Sequence, residues 1–151
     1  MDLLHEMLEA TAEWCPDAPA LTDRAGTLLY GQLTQAVEAT AAGLSEHGLR
    51  RGDRVAGWLP KRAEKAIALY GAMRAGGVAV PVNALLKAPQ VAHILRDCAV
   101  TALVTTAARL VDLTREIPDL AGLRVAITVD EPASAGRPNC VALGWHDLLS
   151  A

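Results

Sequence analysis

The sequence predicts an α/β fold in which helices flank a mostly parallel sheet, with a small antiparallel hairpin near the N-terminus. After Gly48, short apolar runs rich in β-branched residues alternate with amphipathic segments of helical period. This alternation implies right-handed βαβ units. No internal repeat, low-complexity segment or linker divides the chain, so we expect a single unit.

The N-terminal elements precede this alternation. Residues 3–14 carry apolar side chains at helical spacing and stop before Pro16 and Pro19, which predicts a helix that ends at a turn. The apolar runs 20–22 and 27–30 flank the polar, Gly-containing segment 23–26, which predicts an antiparallel hairpin.

The rest of the chain supplies the sheet and its flanking helices. A helix over residues 32–47 should end at Gly48, since glycine favours the left-handed cap. Residues 78–82 are apolar on both faces, as in a covered strand, although Pro81 must lie at its end or on an edge. The predicted strands are 54–59, 78–82, 102–105 and 124–129, the predicted helices begin near Ala63, Pro89 and Ala107, a surface loop covers 130–139, and a short amphipathic tail covers 145–149.

Composition excludes several classes of protein. The 151 residues have a net charge of −3, and their basic residues are scattered among acidic ones, which argues against nucleic-acid binding. The mean hydropathy is +0.23, yet uncharged stretches such as 75–86 are too short to span a bilayer, so no membrane association is expected. The N-terminus has neither the basic nor the apolar region of a secretory signal, so we expect a cytoplasmic protein.

No catalytic or metal-binding motif emerges from the residues. The 3 cysteines show no Cys-x-x-Cys spacing and are interpreted as inert, reduced thiols. The histidines lack the spacing of paired metal ligands, and no serine lies in a nucleophile motif. The glycines at 71, 76 and 77 follow a helix and precede a strand, the reverse of the order in a phosphate-binding loop.

Three polar features could mark functional sites, but each also has a structural interpretation. The charged segment 61–65 is interpreted as the solvated start of a helix, with a ligand site as the alternative. Asp53 follows Arg-Gly, but its place before a strand indicates a turn rather than an adhesion motif. His93 lies two residues off an apolar helix stripe, which is typical of a surface or hydrogen-bonded structural histidine.

Residues 16–21, 28–33, 48–55 and 71–83, together with 93–97 and 103–105, form local patterns in a characteristic order. This order resembles the start of the AMP-forming acyl-CoA synthetases, which belong to the adenylate-forming superfamily. Asn83 after Val-Pro-Val is more similar to the acyl-CoA ligase branch, since peptide-synthetase domains usually have Asp there. Segments 80–87 and 90–98 are most similar to ligases that accompany exosortase gene clusters.

The resemblance implies a fatty-acid or related ligase that joins a carboxylate to ATP and then transfers the acyl group to CoA. The family's phosphate loop, ribose-binding Asp and catalytic Lys have no counterpart here, so we expect residues 1–151 to be the N-terminal portion of the large N-terminal domain. The chain alone is expected to be inactive, with no catalytic or metal residue and no bound cofactor, whereas the whole family enzyme uses ATP, Mg²⁺ and CoA.

One CoA contact is expected from the resemblance, with a departure. Relatives often follow Asn83 with Pro and a basic residue that approaches the CoA phosphates, but this sequence has Ala84 and Leu85. Lys87 is the remaining candidate, and a solvated lysine at a helix start is the alternative.

Two alternatives to a ligase fragment stay open. One is a non-catalytic binding or assembly module, and the other is half of a split ligase completed by a second chain. An incomplete domain would expose strand edges and apolar surface, so we also expect a homo-oligomer or a complex with the rest of the enzyme.

Overall fold

The computed structural model describes residues 3–118, 122–131 and 137–151. Within these ranges it contains a two-stranded antiparallel sheet and a five-stranded parallel sheet. The predicted α/β class is therefore confirmed. The elements are α1 Leu4–Trp14, β1 Pro19–Asp23, β2 Gly26–Leu29, α2 Tyr30–Glu46, β3 Arg54–Gly57, α3 Ala63–Arg74, β4 Val78–Pro81, α4 Ala88–Asp97, β5 Val100–Thr105, α5 Ala107–Glu116, β6 Val125–Thr128, β7 Val141–Gly144 and α6 Trp145–Leu149.

The N-terminal hairpin is present as predicted, apart from its last residue. Strands β1 and β2 pair in an antiparallel register from Asp23↔Gly26 to Pro19↔Leu29. Tyr30 was expected to end the second strand, but it begins α2. The Gln32 side chain accepts a 3.0 Å hydrogen bond from the Leu29 backbone N–H, which starts the helix two residues earlier than its apolar stripe indicates.

The parallel sheet has the strand order β4-β3-β5-β6-β7. Strand β7 was not predicted, because four residues between a polar loop and a helix carry too short a pattern to distinguish from a connection. Much of the loop predicted for 130–139 lies outside the described residues, since 132–136 are not described.

Strand β4 is an edge strand whose side chains are only partly buried or exposed, so the expectation that both of its faces are covered is wrong. Val78 is 48% exposed, and Pro81 is exposed at the end of the strand. Proline lacks an N–H for a neighbouring strand, which restricts it to an edge or a strand end. The placement of Pro81 is therefore confirmed.

Three helices on one face of the sheet, α2, α3 and α6, approach one another closely where glycines remove side-chain bulk. A Cβ at Gly71 of α3 would lie 2.6 Å from Thr40 Cγ2 of α2. Gly43 of α2 makes a similar close approach to Leu148 of α6. The core of the sheet lies against these helices on one side and α4 and α5 on the other.

None of the helices in the described ranges has both the length and the apolar character needed to cross a bilayer.

Candidate functional site: the carboxyl edge of the parallel sheet

The chain reverses its direction of travel across the sheet at β3. Strand β4 pairs with one side of β3, and the next strand, β5, crosses over to pair with the other side. In open parallel sheets, ligands bind outside the carboxyl ends of the strands at such a reversal. The segments that follow β3 and β5 are therefore the first place to look for a site.

Trp58 fills this position directly after β3. Its backbone N–H donates to the Val104 carbonyl at 2.9 Å, and its own carbonyl accepts the Thr105 hydroxyl at 3.0 Å. The side chain is 3% exposed, and its Nε1–H is buried without a hydrogen-bond partner among the described residues. Trp58 therefore joins β3 to β5 through its backbone, while its ring forms part of the wall at the reversal.

Two cations bind backbone carbonyls around this tryptophan. Arg109 donates to the Trp58 carbonyl at 3.3 Å and to the Ala84 carbonyl at 2.9 Å, and its guanidinium lies 4.9 Å from the centre of the Trp58 ring. Lys65 donates through Nζ to the Val82 carbonyl at 2.8 Å and to the Leu59 carbonyl at 3.3 Å. The two side chains thus tie the carboxyl ends of β3 and β4 to α3 and α5.

Both cations lose hydration in these positions. Burial lowers the pKa of the Arg109 guanidinium. Burial, and then the nearby charge of Arg109, lower the pKa of the Lys65 amine below its ordinary value of 10.5. Among the residues that the structure describes, no carboxylate forms an ion pair with either of them. Backbone carbonyl dipoles supply the stabilisation instead.

Lys65 also faces a cleft between the β1–β2 turn and the start of α3, which we call the hairpin cleft. It consists of two adjoining hollows of about 670 and 520 Å³ that share Asp23, Arg24, Lys61 and Arg62. The apolar side chains of Leu21, Ala66 and Leu69 line the larger hollow. The cleft therefore combines an apolar wall with several positive charges.

The two carboxylates of the hairpin cleft are already engaged. Asp23 accepts hydrogen bonds from the backbone N–H groups of Ala63 at 2.8 Å and Ala25 at 2.7 Å, and these bonds lower its pKa. Glu64 accepts two hydrogen bonds from Arg62, at 2.7 and 2.8 Å, and this contact lowers the pKa of Glu64. Asp23 thereby holds the hairpin turn against the first residue of α3.

The charged segment 61–65 is thus only partly a solvated helix start. Lys61 is exposed, as predicted, and Arg62 pairs with Glu64. Lys65 instead turns its amine into the carbonyl ends of the sheet. Its sequence neighbours give no sign of this, because its partners lie in β-strand ends that only the tertiary fold brings near.

Lys87, the candidate CoA contact, lies at the N-cap of α4 and is exposed. Its backbone N–H donates to the Gln90 side chain at 2.9 Å. Nearby, the Asn83 side chain accepts a 2.9 Å hydrogen bond from the Leu85 backbone N–H, which shapes the turn after β4. A role for Lys87 in binding CoA stays a prediction.

The other polar residues singled out in the sequence lie apart from this edge. Asp53 forms a turn in which its carboxylate accepts the Arg50 N–H at 2.7 Å, and it pairs with Arg124. His93 is exposed on α4. Cys140 is buried, which raises the pKa of its thiol. Within the described ranges, no three His, Cys, Asp or Glu side chains are grouped as metal ligands would be.

Sequence reasoning missed Trp58 and Arg109. They are 51 positions apart, and neither belongs to a recognisable motif. The available signal was positional: Trp58 lies near the end of a predicted strand and Arg109 in the first turn of the helix predicted to follow another, and in the structure both lie at the reversal in the strand order.

Comparisons with known proteins place the chain among larger enzymes. It is 35% identical over 132 residues to syringomycin synthase SyrB1 of Pseudomonas syringae, covering 87% of this chain but 20% of that protein. It is 32% identical over 136 residues to an L-proline--[L-prolyl-carrier protein] ligase of Pseudomonas fluorescens, covering 90% of this chain and 27% of the ligase. The chain therefore spans less than a third of the length of either relative.

Solved structures share the fold over almost the whole chain. The anthranilate CoA ligase AuaEII matches with a TM-score of 0.88 at 23% identity, covering 98% of this chain and 28% of that one. A benzoate CoA ligase from Burkholderia xenovorans matches with a TM-score of 0.81 at 21% identity, covering 100% of this chain and 29% of that one. The family of AMP-binding enzymes matches residues 8–140, and the chain therefore belongs to this family of adenylate-forming synthetases and ligases.

Proposed function

We propose that this chain supplies the N-terminal part of an ATP-dependent, AMP-forming acid ligase and does not catalyse the reaction alone. The observation that carries the proposal is the family match over residues 8–140. In such an enzyme a carboxylate attacks the α-phosphorus of ATP, pyrophosphate leaves, and a thiol then displaces AMP from the acyl-adenylate. The parallel sheet and its helices are the part of that enzyme which this chain contributes.

The described residues do not fit the triphosphate of ATP or its Mg²⁺. A triphosphate needs several backbone N–H groups converging from a glycine-rich loop, together with a metal held by oxygen ligands. The segments after β3 and β5 instead begin Trp58-Leu59-Pro60 and Thr106-Ala107, and their nearby carboxylates already accept backbone or arginine hydrogens. We therefore assign this chain a scaffolding role and no step of the adenylation.

For the thiol acceptor we propose CoA. Asn83 after Val-Pro-Val favours this choice, and Lys87 is the residue that would approach the CoA phosphates. Its exposed position at the start of α4 leaves the amine accessible to an anion.

A carrier protein is the second candidate acceptor. It is favoured by the printed identity of one relative, a ligase for an L-prolyl-carrier protein, at 32% identity. The shape of the turn at Asn83 does not discriminate between the two acceptors. Asn83 accepts the Leu85 N–H, and the aspartate usual at this position in peptide-synthetase domains could accept it in the same way.

The scaffolding role is tested by ATP–pyrophosphate exchange. The 151-residue chain alone should give no exchange with any acid, whereas a SyrB1 chimera in which this chain replaces the matched segment should retain measurable exchange. Exchange by the chain alone would contradict the proposal. So would a chimera that folds, judged by circular dichroism and thermal melting, yet gives no exchange.

The acceptor is tested separately, in a chimera in which this chain replaces the matched segment of the anthranilate CoA ligase AuaEII, by titration with CoA and with dephospho-CoA. If Lys87 contacts the additional phosphate, CoA should bind about fivefold more tightly than dephospho-CoA, and Lys87→Gln should remove that difference. Arg96→Gln, which removes an exposed charge near the other end of α4, is the matched control and should leave it unchanged. Equal binding of both ligands would contradict the CoA contact.

A further inference from the structure

We propose that the hairpin cleft binds a small organic anion in which a doubly charged head is attached to an apolar group. A phosphate monoester and a dicarboxylate both have this chemistry. The proposal does not depend on the ligase function, because the cleft is built entirely from β1, the turn after it, the segment 60–62 and the N-terminal part of α3.

The balance of charge in the hairpin cleft favours an anion. Four cations and two carboxylates line its two hollows, which leaves two positive charges in excess, although the whole chain has a net charge of −3. The four cations are Arg24, Lys61, Arg62 and Lys65.

The carboxylates offer little to repel such a ligand. Asp23 is held by two backbone N–H groups, and Glu64 by the Arg62 guanidinium. A third carboxylate, Asp130, acts on the charge of Arg62 but accepts the N–H groups of Ala107 and Glu131. Arg24 and Lys61 have no such partner among the described side chains, and both are exposed at the rim.

The size and lining of the larger hollow favour an organic ligand over a bare ion. About 670 Å³ is within the range of small-molecule sites, which are mostly apolar with a few charged groups that fix orientation. Leu21, Ala66 and Leu69 provide the apolar wall, and Lys65 lies beside Ala66 in the chain. A ligand with its apolar group on this wall brings its head to the cationic rim.

The hairpin cleft is also held in shape before any ligand arrives. The 2.8 Å bond from the Ala63 N–H to Asp23 fixes the hairpin turn against α3, and the Lys65 amine is anchored to two carbonyls. Ordering on ligand binding is therefore confined largely to the exposed rim side chains Arg24 and Lys61.

The experiment titrates the 151-residue chain, labelled with ¹⁵N, with four probes and follows amide chemical shifts. Phenyl phosphate and phenylmalonate carry an apolar ring and a doubly charged head, inorganic phosphate carries the head alone, and benzyl alcohol carries the ring alone. At least one of the first two should bind about tenfold more tightly than either of the last two, with shifts at Leu21, Ala66 and Leu69. Comparison of phenyl phosphate with phenylmalonate identifies the preferred head.

Arg24→Gln and Lys61→Gln test the cationic rim without disturbing a described contact. Each should weaken binding of the preferred probe about fivefold. Arg96→Gln makes the same change of charge on α4 and should leave the affinity unchanged. Equal affinity for inorganic phosphate and the ring-bearing anions, or equal weakening by all three variants, would overturn the proposal, as would shifts spread over the surface. If the proposed ligase function were wrong, these outcomes would be unchanged, because the titration measures binding to the 151-residue chain alone.

Discussion

Gly43 marks a position where the backbones of two helices come too close for any side chain. A Cβ there would overlap the carbonyl oxygen of Leu148 and lie 2.9 Å from its Cδ1. Because the carbonyl belongs to the backbone of α6, it cannot move aside without displacing that helix.

We therefore expect Gly43→Ala to lower the free energy of unfolding by about 1–3 kcal/mol, despite the better helix propensity of alanine. Urea unfolding followed by circular dichroism measures this loss. Ala42→Ser, at the exposed neighbouring position, is the control and should change stability by less than about 0.5 kcal/mol. A Gly43→Ala protein as stable as the wild type would show that α6 is not packed against α2 as described.

Glu64 gives a prediction for the pH dependence of stability. Its hydrogen bonds with Arg62 lower its folded pKa below the ordinary value of 4.5, so the unfolded state binds more protons as the pH falls past 4.5. The stabilisation is complete above that pH and is lost as the pH falls through the lowered folded pKa.

The difference in stability between the wild type and Glu64→Gln should therefore be larger at about pH 7 than at about pH 3.5. Urea midpoints at the two pH values provide the measurement. Glu116→Gln, which removes an exposed carboxylate at the end of α5, should show no such change. A difference that is constant with pH would mean that the carboxylate gains nothing from Arg62.

At the scale of elements, Arg109 connects α5 to the ends of β3 and β4. Its loss leaves the Trp58 and Ala84 carbonyls with fewer donors and removes the contact with the Trp58 ring. We expect Arg109→Leu to cost about 1–3 kcal/mol in chemical unfolding. Arg115→Leu, on the same helix with a side chain 74% exposed, is the matched control and should cost less than about 0.5 kcal/mol. Equal effects would contradict the connecting role.

An element could be predicted from the sequence when its signals are local, within the element or at its boundaries. Helices α2 to α5 carry long apolar stripes with glycine or proline at their boundaries, which are local signals. Strand β7 has only four residues, and the turn before it is the one local signal of its boundaries. The exposure of β4 could not be predicted because its apolar residues fit a central strand equally well, and only the crossover to β5 leaves it at an edge.

The candidate site was less predictable than the fold for the same reason. Lys65 and Arg109 bind carbonyls 17 and 25 positions away, at Val82 and Ala84. No periodicity relates such positions, since they meet only where separate strands end. Asp23 and Ala63 illustrate the same limit across 40 positions.

At the scale of the whole molecule, apolar side chains remain uncovered at both edges of the parallel sheet and along α1. The edge strands expose Val78 and, to 52%, Val141, while α1 exposes Leu4, Met7 and Trp14, the last to 91%. An edge strand with exposed β-branched residues can pair with another chain. We expect this surface to produce a homodimer or larger assembly at micromolar concentration.

Sedimentation equilibrium measures this assembly, and a protein that remains at 15.9 kDa over the micromolar range would contradict it. Val141→Lys should shift the equilibrium toward monomer, because a charge on an edge strand opposes pairing. Val111→Lys, at a similarly exposed valine on α5 away from the sheet edges, is the control and should leave the assembly unchanged.

The bond between Asp23 and Ala63 has a consequence for the order of folding. The hairpin closes over two turn residues and can form within about 1–10 μs, whereas each pairing in the parallel sheet must first close a long crossover. The bond joins this local hairpin to the start of α3, 40 positions away, so we expect it to form after the hairpin. We therefore expect the Ala63 amide to gain protection from hydrogen exchange later in folding than the amides that pair within the hairpin.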